Sequence, residues 1–134
     1  MRRSILSLAL GLLTMAPAMA EESALKSLQT ANDSRGWDAV GRLNLGTKGF
    51  CTGALIGPKL VLTAAHCLFD KETGARIGIE DLEFLAGWRN GRAAAYRGVR
   101  RAVAHPDYVY SGAEKLARVA FDLALIELDQ PIQL

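Results

Sequence analysis

Two residues that could move protons stand out in the chain, a histidine at position 66 and an aspartate at position 122. His66 lies in "VLTAAHC", beside Cys67, at the end of an apolar run typical of a strand. Asp122 lies in "FDLALIEL", an apolar run in which a carboxylate is costly unless another group pairs with it. A neutral imidazole that donates one ring N–H to this carboxylate is fixed in one tautomer, and its other nitrogen can accept a proton. The two residues therefore predict acid–base chemistry at one site.

The immediate surroundings of His66 leave two other roles open, a structural core histidine and a metal ligand. A zinc site built from His66, Cys67 and His105 lacks the second Cys/His pair that structural zinc usually needs. We therefore predict neither a metal nor a cofactor. His105 precedes a proline in "AHPDY", which favours an extended or turn conformation, so we predict that it lies in a surface loop.

Residues 1–20 have the three-part layout of a cleaved secretory signal. Two arginines begin it, an apolar stretch runs from Ile5 to Leu13, and small residues end it at Ala20. The apolar stretch is far shorter than the roughly 20 residues that span a bilayer. We expect cleavage after Ala20, a periplasmic or secreted product, and no membrane association after cleavage. The product keeps 14 residues of each charge, so no nucleic-acid partner is indicated.

Export also bears on the two cysteines, because it places them in an oxidising compartment. One disulfide, Cys51–Cys67, is the simplest outcome there, although a free thiol pair or a metal site is an alternative. Closing a loop of that size stabilises a chain by about 3 kcal/mol. The 114 residues left after cleavage suffice for one domain with a core.

Short apolar runs separated by Gly, Pro, Asn and Asp begin at Trp37, after a polar extension at 21–36 without clear periodicity. The predicted strands lie at 37–45, 50–57, 59–64, 81–88, 93–105 (one or two strands) and 121–129, with a helical turn or two at 113–121. The Gly57-Pro58 pair suits a hairpin turn. Many short strands joined by glycine-rich turns are typical of an all-β antiparallel barrel or sandwich.

The segment "GALIGPKLVLTAAHC" resembles the histidine segment of the chymotrypsin/trypsin-like serine proteases, and "DLALIEL" resembles their aspartate segment. "GFC" and "AHPDY" follow the family's order and spacing, and "WDAVGRLN" is similar to bacterial secreted members. Over residues 37–134 the resemblance implies a six-stranded antiparallel Greek-key β-barrel, the first half of a chymotrypsin-like double barrel, with a helical turn at Ala64–Leu68. It also implies that His66 is the general base and acid, Asp122 its orienting carboxylate, and Cys51–Cys67 the family's disulfide.

The resemblance stops short of the nucleophile. In this family the nucleophile is the serine of a Gly-Asp-Ser-Gly-Gly motif on a second barrel, and Ser111, the one serine after His66, does not match it. An Ile-Val-Gly-Gly-type amino terminus is also absent from residues 21–36. We therefore expect the amino-terminal part of a serine endopeptidase that acts on polypeptides, with its second barrel missing and no activity alone. The alternative is a short, non-catalytic, protease-derived module that binds a protein.

Overall fold

The computed structural model describes residues 25–110 and 119–134, and six strands among them form a closed antiparallel β-barrel. Its strands are β1 (Val40–Leu45), β2 (Phe50–Gly57), β3 (Leu60–Thr63), β4 (Leu82–Ala86), β5 (Ala95–Ala104) and β6 (Ala124–Leu128). Around the barrel they follow the order β1, β2, β3, β6, β5, β4, and β4 pairs with β1 to close the sheet. Because β4 returns beside β1 after three consecutive neighbours, the connection is a Greek key. The predicted six-stranded barrel is confirmed.

The strands form where apolar side chains recur at every second residue. In β4, Leu82, Phe84 and Ala86 face the interior and are buried, and in β6 the same alternation buries Ile126 and Leu128. A strand sends successive side chains to opposite faces, so this spacing gives the barrel one apolar inner surface. These residues form one core cluster with the buried side chains of β1 and β3.

Two glycines on neighbouring strands make room for the largest fully buried side chain, Phe84. Gly41 of β1 and Gly53 of β2 are direct partners in the sheet. A Cβ added at Gly41 would lie 2.6 Å from Cζ of Phe84, and one at Gly53 would lie 2.7 Å from Cγ1 of Val61. Both distances are shorter than van der Waals contact. The packing around the Phe84 ring therefore depends on these two positions having no side chain.

The segment predicted at 93–105 as one or two strands forms the single ten-residue strand β5. Its first part pairs with β4 and its second part with β6. The register shifts between Val99 and Arg101, which indicates a bulge. Because a bulge bends a strand and increases its twist, one strand can serve both neighbours around the closed sheet.

Residues 25–36 lie outside the barrel, and most of them are exposed. The Arg89 guanidinium donates a hydrogen bond of 2.5 Å to the Gln29 carbonyl and links this segment to the barrel. The predicted signal at 1–20, residues 21–24, Ser111 and most of the predicted helical segment at 113–121 lie outside the described residues. Within the described ranges, no helix combines the length and the apolar character needed to cross a membrane.

Candidate functional site

A short helix places His66 at the barrel surface. The helical turn predicted at Ala64–Leu68 is a 3-10 helix at Ala65–Leu68, directly after β3. The other three residues of this helix are buried, whereas 56% of the His66 side chain is exposed. The buried neighbours anchor the helix in the core, so the exposed imidazole is attached to a well-packed segment of backbone.

Strand pairing brings Asp122 to this histidine across 56 residues of sequence. Antiparallel β3 and β6 pair with Thr63 opposite Ala124, so the end of β3 lies beside the start of β6. His66 follows β3 and Asp122 precedes β6. The two side chains therefore meet at one end of the same strand pair.

Asp122 makes two contacts with His66, one through each carboxylate oxygen. Oδ1 accepts a hydrogen bond of 2.8 Å from the His66 backbone N–H, and Oδ2 lies 2.7 Å from ring Nδ1. Because an ionised carboxylate can only accept, the neutral ring donates Nδ1–H and keeps Nε2 as an acceptor. The Asp122 side chain is 22% exposed, so it is largely covered while the imidazole stays open to solvent. The arrangement can take up a proton at Nε2 and hold the resulting charge.

The predicted disulfide is present and lies next to the histidine. Cys51 of β2 and Cys67 of the 3-10 helix are joined, with their Cα atoms 6.2 Å apart. The Cys51 and Cys67 sulfurs and a ring nitrogen of His66 lie within 4.8 Å of one another, the spacing of a metal-ligand group. Since both sulfurs are bonded to each other, they offer no thiolate. The cross-link instead ties the histidine-bearing helix to the preceding strand.

A cleft of about 330 Å³ opens beside His66 on the side of the disulfide, and Lys48, Phe50, Phe69 and Lys71 contribute to its walls. Lys48 Nζ lies 2.8 Å from Oδ2 of the buried Asp70. The hydrogen bond from Lys48, with one from the Glu72 backbone N–H, lowers the pKa of Asp70 to about 2, and the same bond raises the pKa of Lys48. This ion pair could not be predicted from the sequence, because no periodicity relates the two loops that carry Lys48 and Asp70.

An apolar groove of about 300 Å³ lies on the outside of β3, β5 and β6, and Leu62, Val103, Leu123 and Leu125 contribute to it. These side chains are exposed, with Leu123 at 53% and Val103 at 50%. Leu123 follows Asp122 directly, so the groove adjoins the histidine–aspartate pair.

His105 lies apart from the disulfide group, as expected for a residue in the loop after β5. It stacks on Phe121, with ring centroids 4.9 Å apart, and its Nδ1 accepts a hydrogen bond from the Asp107 backbone N–H. It is not in the potential metal-ligand group of Cys51, His66 and Cys67, the one such group among the residues that the structure describes.

The Greek-key barrel, the paired histidine and aspartate, and the disulfide beside the histidine together define the class of trypsin-like barrels. The family model described as Trypsin matches residues 29–134, and the chain belongs to this family of serine proteases. The match begins eight residues before Trp37, so the family resemblance includes part of the predicted extension.

Individual relatives come from distant organisms. The chain is 33% identical over 84 residues to glutamyl endopeptidase of Bacillus licheniformis, covering 63% of this chain and 24% of that protein. It is 33% identical over 92 residues to coagulation factor IX of Cavia porcellus, covering 69% and 30% respectively. It is 36% identical over 93 residues to serine protease filzig of Drosophila melanogaster, covering 68% and 5%. The chain thus spans less than a third of each relative, and the relatives do not single out the bacterial type.

Proposed function

We propose that this chain is the amino-terminal barrel of a serine endopeptidase and supplies two of its three catalytic groups. His66 is the general base and acid, and Asp122 orients it. The observation that carries the proposal is the double contact between the Asp122 carboxylate and His66, which fixes the ring and leaves Nε2 facing outward. Membership of the trypsin family supports the same assignment.

In the proposed reaction, Nε2 of His66 takes the proton of a serine hydroxyl while the serine oxygen attacks the carbonyl carbon of a peptide bond. The protonated ring then gives this proton to the leaving amine, and the C–N bond breaks. In the second half, Nε2 of His66 takes a proton from water while the water oxygen attacks the acyl carbon. The bond between the acyl carbon and the serine oxygen then breaks, and the protonated ring returns its proton to the serine oxygen. Asp122 remains ionised throughout and stabilises the imidazolium, which is why its largely covered position next to the ring matters.

The nucleophilic serine and the second barrel of the family are proposed to belong to sequence outside these 134 residues. The apolar groove supports this, because Leu123 and Leu125, which closely follow Asp122 in the chain, are exposed there and a further element could cover them. Exposed apolar patches of this kind tend to mark association surfaces. The signal-like residues 1–20 and the disulfide support a periplasmic or extracellular location.

The need to cover the apolar groove can be tested on the chain expressed alone. Residues 21–134 expressed alone should be inactive on esters, because the proposed nucleophile lies outside them. They should also self-associate, because the groove is apolar and their net charge of zero opposes contact only weakly. Sedimentation of this chain should show species larger than a monomer, and Val103→Lys with Leu125→Lys should reduce them. A stable, monodisperse wild-type monomer would contradict the covering role of the groove.

The function itself is tested first in the gene. Translation of the DNA beyond codon 134 in all three frames should show a Gly-Asp-Ser-Gly-Gly segment. Non-coding DNA there would favour the alternative, a short protein-binding module without catalysis.

The full-length protein then provides the kinetic test. His66→Ala should lower kcat on peptide and ester substrates by about 10⁴-fold or more. Asp129→Asn, an exposed carboxylate just past the far end of β6, is the matched control and should leave kcat unchanged. Cleavage that survives His66→Ala would refute the proposed function.

A further inference from the structure

The residue before Asp122 has an unusual backbone conformation. Phe121 has a φ of 61°, in the left-handed region, where a bulky side chain is strained. Among the described residues, Asn90 is the other non-glycine residue with a positive φ. Asn90 occupies a two-residue Asn-Gly turn, where asparagine is common. Phe121 has no such turn preference, so something else must hold it in this conformation.

The strained residue leads into a tight turn centred on Asp122. The Leu123 backbone N–H donates a hydrogen bond of 2.7 Å to the Phe121 carbonyl, which closes a three-residue turn. β6 then begins at Ala124. The turn lifts Asp122 out of the extended strand path, and its two oxygens reach the backbone N–H and ring Nδ1 of His66.

The ring of His105 stacks against one side of Phe121, which remains half exposed. The two rings are stacked, with centroids 4.9 Å apart and planes inclined by 21°. His105 directly follows β5, and the pairing of Ala104 with Ala124 brings it beside the start of β6. The stack is therefore held by the same strand pair that carries Asp122.

Hydrogen bonds fix His105 on three sides. Its backbone N–H donates to the Leu123 carbonyl at 2.8 Å, and its carbonyl accepts from the Tyr108 N–H at 3.0 Å. Its Nδ1 accepts from the Asp107 N–H at 3.1 Å. The first of these bonds is made to the turn around Asp122. His105 therefore contacts both the Phe121 ring and the backbone of this turn.

The geometry points to His105 and Phe121 as positioning residues for the proposed reaction. The stack holds Phe121 in the left-handed conformation, and this conformation sets the direction of the Asp122 carboxylate. Neither residue contacts the reacting atoms, and both act through Asp122 on His66. This inference rests on the proposed function, and it assigns a role to the second histidine of the chain.

The experiment uses the full-length protein and separates kcat from KM. His105→Ala and Phe121→Ala should each lower kcat by about two- to tenfold, the range that corresponds to the loss of one aromatic pair. KM should stay within about twofold, because no substrate contact is removed. His105→Phe restores a ring above Phe121 and should recover most of kcat. Val109→Ala, at an exposed loop position, is the control.

A spectroscopic readout tests the mechanism of the effect. The proton between His66 Nδ1 and Asp122 should give a low-field resonance in proton NMR spectra. This resonance should shift or broaden in His105→Ala and return in His105→Phe. If His105→Ala does not fold at the assay temperature, His105→Leu keeps an apolar side chain without the flat ring, and the same loss in kcat is expected.

Two outcomes separate this inference from the proposed function. If His66→Ala abolishes cleavage while His105→Ala, or His105→Leu in its place, and Phe121→Ala keep wild-type kcat and the low-field resonance, the positioning role is refuted and the proposed function stands. If His66→Ala leaves cleavage intact, the proposed function is refuted and the positioning role with it.

Discussion

Replacing Asp122 with asparagine removes one charge and keeps nearly the same shape. The carboxylate uses both oxygens, at 2.8 Å from the His66 backbone N–H and at 2.7 Å from Nδ1. An amide offers only one oxygen acceptor, and its NH₂ group can only donate. With the oxygen kept on the backbone N–H, the NH₂ group faces Nδ1. The ring must then accept at Nδ1 and carry its proton on Nε2, the wrong tautomer for a base.

The two contacts set the size of the effect. Each is a hydrogen bond to a charged group, worth about 1.5–3 kcal/mol. The backbone contact becomes a neutral hydrogen bond and loses about 1–1.5 kcal/mol, whereas the contact at Nδ1 is lost entirely. Together they remove about 2.5–4.5 kcal/mol of support for the correctly oriented, protonated ring, which corresponds to about 10²- to 10³-fold in kcat. The wrong tautomer adds to this loss, and the same change costs about 10⁴-fold in kcat in a Ser-His-Asp triad.

The assay is the kcat of full-length Asp122→Asn on a peptide substrate, with Asp129→Asn as the matched control. Nitrogen-15 NMR of the His66 ring should show the proton moved from Nδ1 to Nε2 in the variant. A folded Asp122→Asn protein that keeps more than about a tenth of wild-type kcat would refute the argument from the double contact.

Three further predictions concern stability, each measured by urea unfolding. Cys51→Ser with Cys67→Ser should destabilise the fold by about 3 kcal/mol, because the cross-link spans a separation of 16 residues; a loss below about 1 kcal/mol would count against it. Gly41→Ala should cost about 1–3 kcal/mol, because its Cβ would press into a buried aromatic ring, and an unchanged midpoint would contradict this packing. Lys48 holds the pKa of Asp70 at about 2, below its ordinary 3.8, so the stabilisation is present above about pH 4 and is lost as the pH falls towards 2. Asp70→Asn should therefore be less stable than wild type near neutral pH, and a difference that does not shrink below about pH 4 would refute this.

The barrel could be predicted largely because apolar residues recur at every second position of its strands. Leu82, Phe84 and Ala86 recur at every second position and all face the core, so the period alone identified the inner face of β4. The bulge at Val99–Arg101 could not be predicted, because it follows from the need of one strand to pair with two neighbours. Gly41 gave no sequence signal for its close approach to Phe84, since that contact exists only after the barrel closes.

The pairing of His66 with Asp122 followed from a carboxylate that needed a partner and from the resemblance of two segments to one family. The tight turn at residues 121–123 was not predicted from the sequence. A strand was predicted from residue 121, but β6 begins at Ala124. Phenylalanine favours extended structure, so Phe121 argued for a strand, and only the contacts of the folded chain impose its left-handed conformation.

Because His66 and Asp122 are far apart in sequence, they are synthesised at different times. A chain that emerges amino-terminus first can form the β1–β2–β3 meander early, whereas β3 receives its second neighbour only with β6, the last strand of the barrel. At a synthesis rate of roughly 5–20 residues per second, the 56 residues that separate His66 from Asp122 take roughly 3–11 seconds to appear. During that interval the imidazole has no Asp122 carboxylate to orient it, so the histidine–aspartate pair is completed only when the last strand closes the barrel.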